Sequence, residues 1–284
     1  MNQPGSSTTR NSAYVLGHTQ HEVQRLQAQA RLIDPITRRI FERGGLKNGM
    51  RVLDIGSGAG DVAFLAAEIV GPSGAVVGID RSGTALSVAR ARAVEQSLAN
   101  VSFVEGDFQH ASVPGTFDAI VGRYVLQFQR DPAECLSALH GRLSPGGVLA
   151  FHEIDWSGLN SYPPAPLFQR CCALGTETLR RHGTDAMMGR GLYAAFTRAG
   201  LKPTLHLEAP IAGGADAAPW LRMFAGLIQT LELEMIKLGV ANRDELEVDS
   251  LADRLVQEAV DLATVITGHY QIGAWLKKAD RNDA

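Results

Sequence analysis

The residues best placed to do chemistry lie in one run, Val52-Leu53-Asp54-Ile55-Gly56-Ser57-Gly58-Ala59-Gly60-Asp61. An apolar stretch ends at an acid, three glycines alternate with small residues, and helix-forming residues follow at once. Glycines there let the backbone adopt positive φ and approach a ligand closely, and a helix N-terminus offers unpaired amides. An acid at the head of the turn suits a ligand that carries a cation, such as an ammonium or sulfonium, and is ill placed beside a pyrophosphate. The dinucleotide fingerprint G-x-G-x-x-G needs a third glycine three residues after the second. Gly56 and Gly58 would put it at position 61, where Asp61 stands. The P-loop pattern fails too, because no Lys-Ser/Thr follows the glycines.

Two further acids end later apolar runs, Val76-Val77-Gly78-Ile79-Asp80 and Val104-Glu105-Gly106-Asp107-Phe108. A carboxylate at Asp80 can accept both hydroxyls of a ribose. Asp107 can accept from an adenine amino group while Phe108 flanks the ring. Each acid alone reads as a loop or helix cap; together, beside the glycine turn, they point to a nucleoside ligand.

These residues need a scaffold that brings strand tips together. Between Met50 and Asp155, short β-rich runs alternate with helix-length stretches, the strands falling at Arg51 to Ile55, Ala75 to Ile79, Val101 to Val104, Asp118 to Val121 and Val148 to Ile154. Continuous apolar cores of this length suit strands buried on both faces of a parallel sheet. Val62, Leu65, Ala66, Ile69 and Val70 form a helical stripe after the first strand. Asp131-Pro132-Ala133-Glu134 is a capping box with proline at the first helical position. The pattern predicts a doubly wound, Rossmann-like α/β fold. Upstream, a polar tail (1–12) precedes a helical lid (13–45) in which Pro35 divides two helices. Residues 46–156 form the core, and 188–211 return a helix and a strand to it. Helical insertions at 157–187 and 212–262 are expected to build a cap, and Ala263 to Gln271, within 263–284, reads as the final strand. Trp220, Phe224, Leu227, Ile228, Leu231 and Met235 give one cap helix its stripe; Leu246, Leu251, Leu255 and Val256 give another.

The 284 residues are 45% hydrophobic and 20% charged, with a net charge of −3, an ordinary globular composition. That balance argues against a dedicated nucleic-acid binder. No membrane span or signal segment is visible, so the expected location is cytoplasmic. Cys135, Cys171 and Cys172 supply neither a disulfide framework nor a metal-ligand spacing.

From about Gly45 to Asp155, including the Leu143-Ser144-Pro145-Gly146-Gly147 turn, the sequence resembles the class I S-adenosylmethionine-dependent methyltransferases. Within them it resembles the small-molecule branch of the ubiquinone/menaquinone (UbiE-like) enzymes. More loosely, the likeness extends to Tyr14-Val15-Leu16-Gly17 and Gly273-Ala274-Trp275. It implies that Asp54, Gly56, Ser57, Gly58 and Gly60 form the cofactor loop, that Asp80 and its neighbour Arg81 take the ribose, that Asp107 and Phe108 take the adenine, and that Arg123 borders the methionine moiety. It also implies a seven-stranded sheet whose last strand is antiparallel, and S-adenosyl-L-homocysteine as the product.

The Asn/Asp-Pro-Pro-Tyr/Phe and Pro-Cys motifs of adenine, glutamine and cytosine methylation are missing. Cys171-Cys172 has no histidine partner for an arsenite-type thiol site. A small organic methyl acceptor is therefore the expected partner; an RNA or protein substrate and a non-catalytic binding role are the alternatives. If the acceptor must lose a proton, His152 and Tyr14 are the candidate bases, although a buried neutral histidine satisfied at the sheet would look the same. Tyr14, His18, Tyr124, Trp220 and Phe224 are the candidates for the acceptor side, with core packing the plainer role for the aromatic groups.

Overall fold

The computed structural model describes residues 20–108, 113–242 and 247–280, and their side chains from Ala30 onward except Arg31. Ten strands follow in chain order: β1 (Arg51–Ile55), β2 (Ala75–Asp80), β3 (Val101–Glu105), β4 (Phe117–Arg123), β5 (Leu143–Asp155), β6 (Asn160–Tyr162), β7 (Thr204–Glu208), β8 (Ile211–Gly213), β9 (Val265–Thr267) and β10 (Tyr270–Lys277). Eight helices of more than one turn accompany them: α1 (Gln20–Gly44), α2 (Asp61–Val70), α3 (Gly83–Glu95), α4 (Pro132–Gly141), α5 (Pro166–His182), α6 (Met188–Arg198), α7 (Ala218–Lys237) and α8 (Val248–Asp261).

Seven strands form one sheet in the order β3-β2-β1-β4-β5-β10-β7. β1 pairs in parallel with β2 and β4, β2 with β3 and β4 with β5, whereas β10 runs antiparallel to both neighbours. The fold is α/β and Rossmann-like, as the sequence pattern implied, with the last strand antiparallel, as the family resemblance implied. Parallel strands need crossovers, and helices such as α2 supply them by burying their apolar faces against the sheet. Val62, Leu65, Ala66 and Val70 are buried on α2. Asp131 caps α4 as expected, its carboxylate accepting from the amides of Ala133 and Glu134.

The final strand is displaced from its expected place. Val265–Thr267 belongs instead to a separate three-stranded antiparallel sheet, β6-β9-β8, and the antiparallel core strand starts only at Tyr270. The β-branched run has the propensity for a strand, but the Gly268 amide bonds to the Pro210 carbonyl at 2.8 Å and turns the chain out of one sheet into the other. Gly273 marks the true core strand. A Cβ there would lie 2.6 Å from Ile40 of α1, so only glycine lets the helix sit down on β10. The expected break at Pro35 is also absent: α1 is continuous through it. Ile33, Ile36, Ile40 and Phe41 are all buried on both sides of the proline, and this packing offsets the missing amide.

Apolar clusters lie on the two faces of the sheet, one gathering α1 and α2 residues and one α4 and α6 residues. A third cluster joins Trp156, just after β5, to Phe168, Phe224, Ile228, Met235, Leu251 and Leu255 from α5, α7 and α8. Leu246 of the anticipated second stripe lies outside the described residues, as do the polar tail, Tyr14 and His18.

Candidate functional site

The chemistry-bearing residues converge where β1, β2 and β4 end. Gly56, Gly58 and Gly60 all have positive φ, at +64°, +51° and +93°. A side chain is excluded at Gly60, where a Cβ would meet Phe64 at 2.7 Å, while at Gly58 it would meet nothing within 4 Å. Gly58 thus faces open space with bare backbone. Asp80 ties the turn to the tip of β2: one carboxylate oxygen accepts from the Gly58 amide at 2.9 Å and the other from the Ser82 amide at 2.8 Å. Each oxygen keeps a free lone pair for a further donor. On the far side, Arg92 of α3 donates to the Ala59 carbonyl at 2.6 Å and to Asp61 at 2.8 Å.

Beneath the turn, Asp54 is wholly buried, and neither of its oxygens has a partner in full hydrogen-bonding geometry, the Ala63 amide making only a weak approach. The Ser57 hydroxyl is likewise buried without a partner. Burial pushes the Asp54 carboxyl well above the usual carboxylate range; nearby Arg123 pulls it back and Asp80 and Asp61 push it further up. Unsatisfied buried acceptors are costly, so this constellation suits a ligand that brings donors and positive charge and needs close access to backbone.

Arg123 at the end of β4 reaches back to α1, bonding Asp34 at 2.6 Å and the Thr37 hydroxyl at 3.0 Å. Thr37 lies 3.0 Å from Nδ1 of His152, and Nε2 of His152 lies 2.9 Å from the Gln271 side-chain oxygen, which also accepts from the Tyr124 hydroxyl. The Gln271 amide nitrogen donates to the His269 carbonyl at 3.4 Å, which orients the amide. With the Gln271 oxygen facing Nε2, His152 carries its proton there, and Nδ1 faces the Thr37 hydroxyl, whose single proton is shared between it and the Ile33 carbonyl at 3.2 Å. Burial lowers its pKa to about 3, with Arg123 adding to the effect. Both ring nitrogens are engaged, and the ring is neutral.

One charge pair lies nearer the surface. Asp107 pairs with the exposed Arg81. Phe108 is buried, 8% exposed.

Residues 46–182 match the family model described as a methyltransferase domain. Over that segment the chain is similar to a methyltransferase domain. The chain is 36% identical over 117 residues to the ubiquinone/menaquinone biosynthesis C-methyltransferase UbiE of Cellvibrio japonicus, covering 40% of this chain and 47% of that one. It is 36% identical over 117 residues to the arsenite methyltransferase of Aquipseudomonas alcaligenes, covering 38% and 34%. The alignments thus span between a third and a half of these relatives' lengths. Among solved structures, phosphoethanolamine N-methyltransferase 2 of Haemonchus contortus superposes with a TM-score of 0.51 at 20% identity, over 85% of this chain and 52% of that one. That likeness concerns the fold.

Within that segment, Tyr124 follows β4 with a φ of +58° and its ring centroid lies 5.3 Å from that of His152. It packs against the cap cluster. Phe224 is buried among Trp156, Phe168 and His269, at 6.2, 5.1 and 5.9 Å between ring centroids. Trp220, on the same helix, packs instead on the cluster that holds Ile36 and Ile40. The structure does not bring these two rings to one site. Burial pushes the thiols of Cys135 and Cys171 up to about 12 and 11, so both are uncharged at neutral pH. No helix among the described residues is long and apolar enough to cross a membrane.

Sequence reasoning missed Asp34, Thr37, Arg92, Glu153 and Gln271. A detectable signal existed for two of them. Glu153 and Gln271 are polar residues inside runs otherwise reading as buried strand, and a buried polar side chain must find a partner.

Asp34→Ala removes one partner of a guanidinium that is only 7% exposed. It is expected to lower stability by about 1 kcal/mol, the acid itself being partly solvated. A thermal melt checks this; an unmoved midpoint would show that the apolar face of α1 holds the helix unaided.

Proposed function

We propose that the protein is an S-adenosylmethionine-dependent methyltransferase acting on a small, apolar or aromatic acceptor held between the strand tips and the helices that follow the core. The observation that carries this is the glycine turn fastened by Asp80 over the buried, unpartnered Asp54 and Ser57. The relatives' names, methyltransferases of quinone precursors and arsenite, support a small acceptor.

The cofactor, when bound, supplies an electrophilic methyl group on a sulfonium. Asp54 and Ser57 would accept from its ammonium, Asp80 from the ribose and Asp107 from the adenine, with Phe108 and Arg81 beside them and Arg123 near the methionine end. Rate then comes mainly from alignment of the acceptor and exclusion of water. Tyr124 stands where the turn after β4 meets the cap and is proposed to face the acceptor, with Tyr14 and His18 completing that side. His152 is better suited to positioning than to proton removal. Its bonded neutral ring holds Arg123 through Thr37 and Tyr124 through Gln271.

Calorimetric titration with S-adenosylmethionine and S-adenosylhomocysteine, against NAD as control, tests the cofactor. Micromolar binding of the first two alone is expected, with a rise in melting temperature. Binding of NAD, or of none in folded protein, would overturn the assignment. Binding with no S-adenosylhomocysteine formed across a panel of phenols, quinols and thiols would instead favour a non-catalytic or macromolecular role.

A further inference from the structure

Glu153 is completely buried in β5, in a run of otherwise apolar neighbours and His152. One of its oxygens accepts from the amides of both Val125 and Leu126 at 2.8 Å each. The other oxygen is buried with no partner in full hydrogen-bonding geometry, the Gln127 amide making only a weak approach. One residue earlier in the same turn, the Tyr124 amide donates to the His152 carbonyl at 2.9 Å. Two consecutive residues of β5 therefore clamp three consecutive amides of the chain leaving β4. That clamp holds a conformation the chain would otherwise avoid, since Tyr124 has a left-handed backbone without being glycine. The clamped turn has a definite place: Val125 Cγ2 lies 2.6 Å from where a Cβ would stand on Gly56. The side chain of Val125 is in contact with the first glycine of the cofactor turn.

We infer that Glu153 is a positioning residue for the cofactor loop: it fixes the turn after β4, and through Val125 that turn forms the wall on which Gly56 rests. This builds on the methyltransferase reading of the site. Glu153 lies behind the turn and acts through Val125 and Tyr124.

The clamp also has a pH limit. Burial pushes the Glu153 carboxyl up to about 8, against the pull of the backbone amides it accepts from, and Asp185 pushes it further. The other titratable groups that couple to it are Tyr124 in the turn and Cys135 on α4, both raised by burial and uncharged at neutral pH. Arg190 of α6 is engaged by Asp155. For an acid whose pKa is raised in the native state, the native arrangement is fully favoured below the ordinary carboxylate value, weakens as pH rises from there through the raised value, and changes no further above it. Ionised Glu153 would bury a charge with one oxygen poorly solvated, which favours opening of the turn to water.

The test is titration of the full chain with S-adenosylhomocysteine from about pH 6.5 to 9, using the parent protein, Glu153→Gln and Glu153→Leu. Glu153→Gln keeps the accepting oxygen and cannot ionise. It should bind like the parent near neutrality and keep that affinity at high pH, where the parent weakens about tenfold. Glu153→Leu keeps the bulk and loses the acceptor; its affinity should fall about tenfold or more at every pH, with faster amide exchange at Val125 and Leu126. Parallel pH profiles for the parent and Glu153→Gln would overturn the inference even if Glu153→Leu does not fold, as would parental affinity in Glu153→Leu. No binding by the parent at any pH overturns the cofactor assignment and the inference with it, whereas binding by the parent with unmoved variants overturns the inference alone.

Discussion

Asp54→Asn is expected to stabilise the ligand-free protein by about 1 kcal/mol and to weaken binding of S-adenosylmethionine roughly 10- to 100-fold. The two effects have one origin. Asp54 is fully buried with both oxygens short of partners, and its pKa is raised chiefly by desolvation. A raised carboxylate pKa means that folding disfavours the charge. Its contribution to stability is therefore intact in acid and is lost as pH rises from the ordinary carboxylate value through the folded one. Arg123 softens this loss without removing it. Asparagine is nearly isosteric and carries no charge, so it should flatten that part of the stability profile. In the complex the charge meets an ammonium, and a charge-assisted bond of that kind contributes about 1.5 to 3 kcal/mol. Melts at pH 5 and pH 8, with calorimetric titration of both proteins, read both effects. A variant that is less stable and binds as well as the parent would show that Asp54 is a structural acid with no ligand to meet.

The second large effect is at Gly60. Gly60→Ala should destabilise the fold by about 2 to 4 kcal/mol, the sum of about 1 to 2 for a left-handed non-glycine residue and about 1 to 3 for overpacking, allowing for some relaxation. The added methyl would overlap Phe64 at 2.7 and 2.9 Å and touch Phe103 at 3.1 Å. Those rings already meet edge to face, with centroids 6.0 Å apart, and Arg92 lies over Phe64 at 4.9 Å. Any shift therefore reaches the brace on the far side of the turn. Gly58→Ala provides the comparison. It shares the left-handed backbone but meets no atom within 4 Å, so it should carry only the conformational part of the cost. The difference between the two melting temperatures measures the overlap. Equal losses at both positions would mean that the rings yield freely and that conformation alone decides.

Most of the core was legible because its signals are local and reinforce one another. Each of β1 to β5 is a short apolar run, and the acids Asp54 and Asp80 could be placed at strand tips before any geometry was known. What could not be read depends on tertiary contacts. The β6-β9-β8 sheet uses strands of three residues, too short to show a period. The Val265–Thr267 run has strand propensity in either sheet, and only the turn at Gly268 against Pro210 decides between them. Pro35 reads as a helix break until Ile33, Ile36 and Ile40 are seen packed on one surface. The clamp residues were missed for the same reason. Glu153 and Gln271 find their partners in the turn after β4, at separations of 28 and 147 residues.

The place of β10 dictates an order of assembly. In the seven-stranded sheet, β7 has one neighbour, β10, which also covers the outer edge of β5. Both edges are synthesised early, and the ribosome then makes α7 and α8 before the strand that joins them. Throughout that interval the outer edge of β5 is unpaired, and β7, whose one neighbour is β10, has no sheet to join. β9 and β10 are divided only by Gly268 and His269, so the segment that closes the large sheet also completes the small one. Cap and core must therefore lock together in a single late step, and the pairings it closes are long in sequence and slow to form. A chain stalled before residue 265 would keep most of its apolar surface available for burial but leave the edge of β5 and the whole of β7 unpaired, the kind of surface that chaperones hold and that neighbouring copies can wrongly pair.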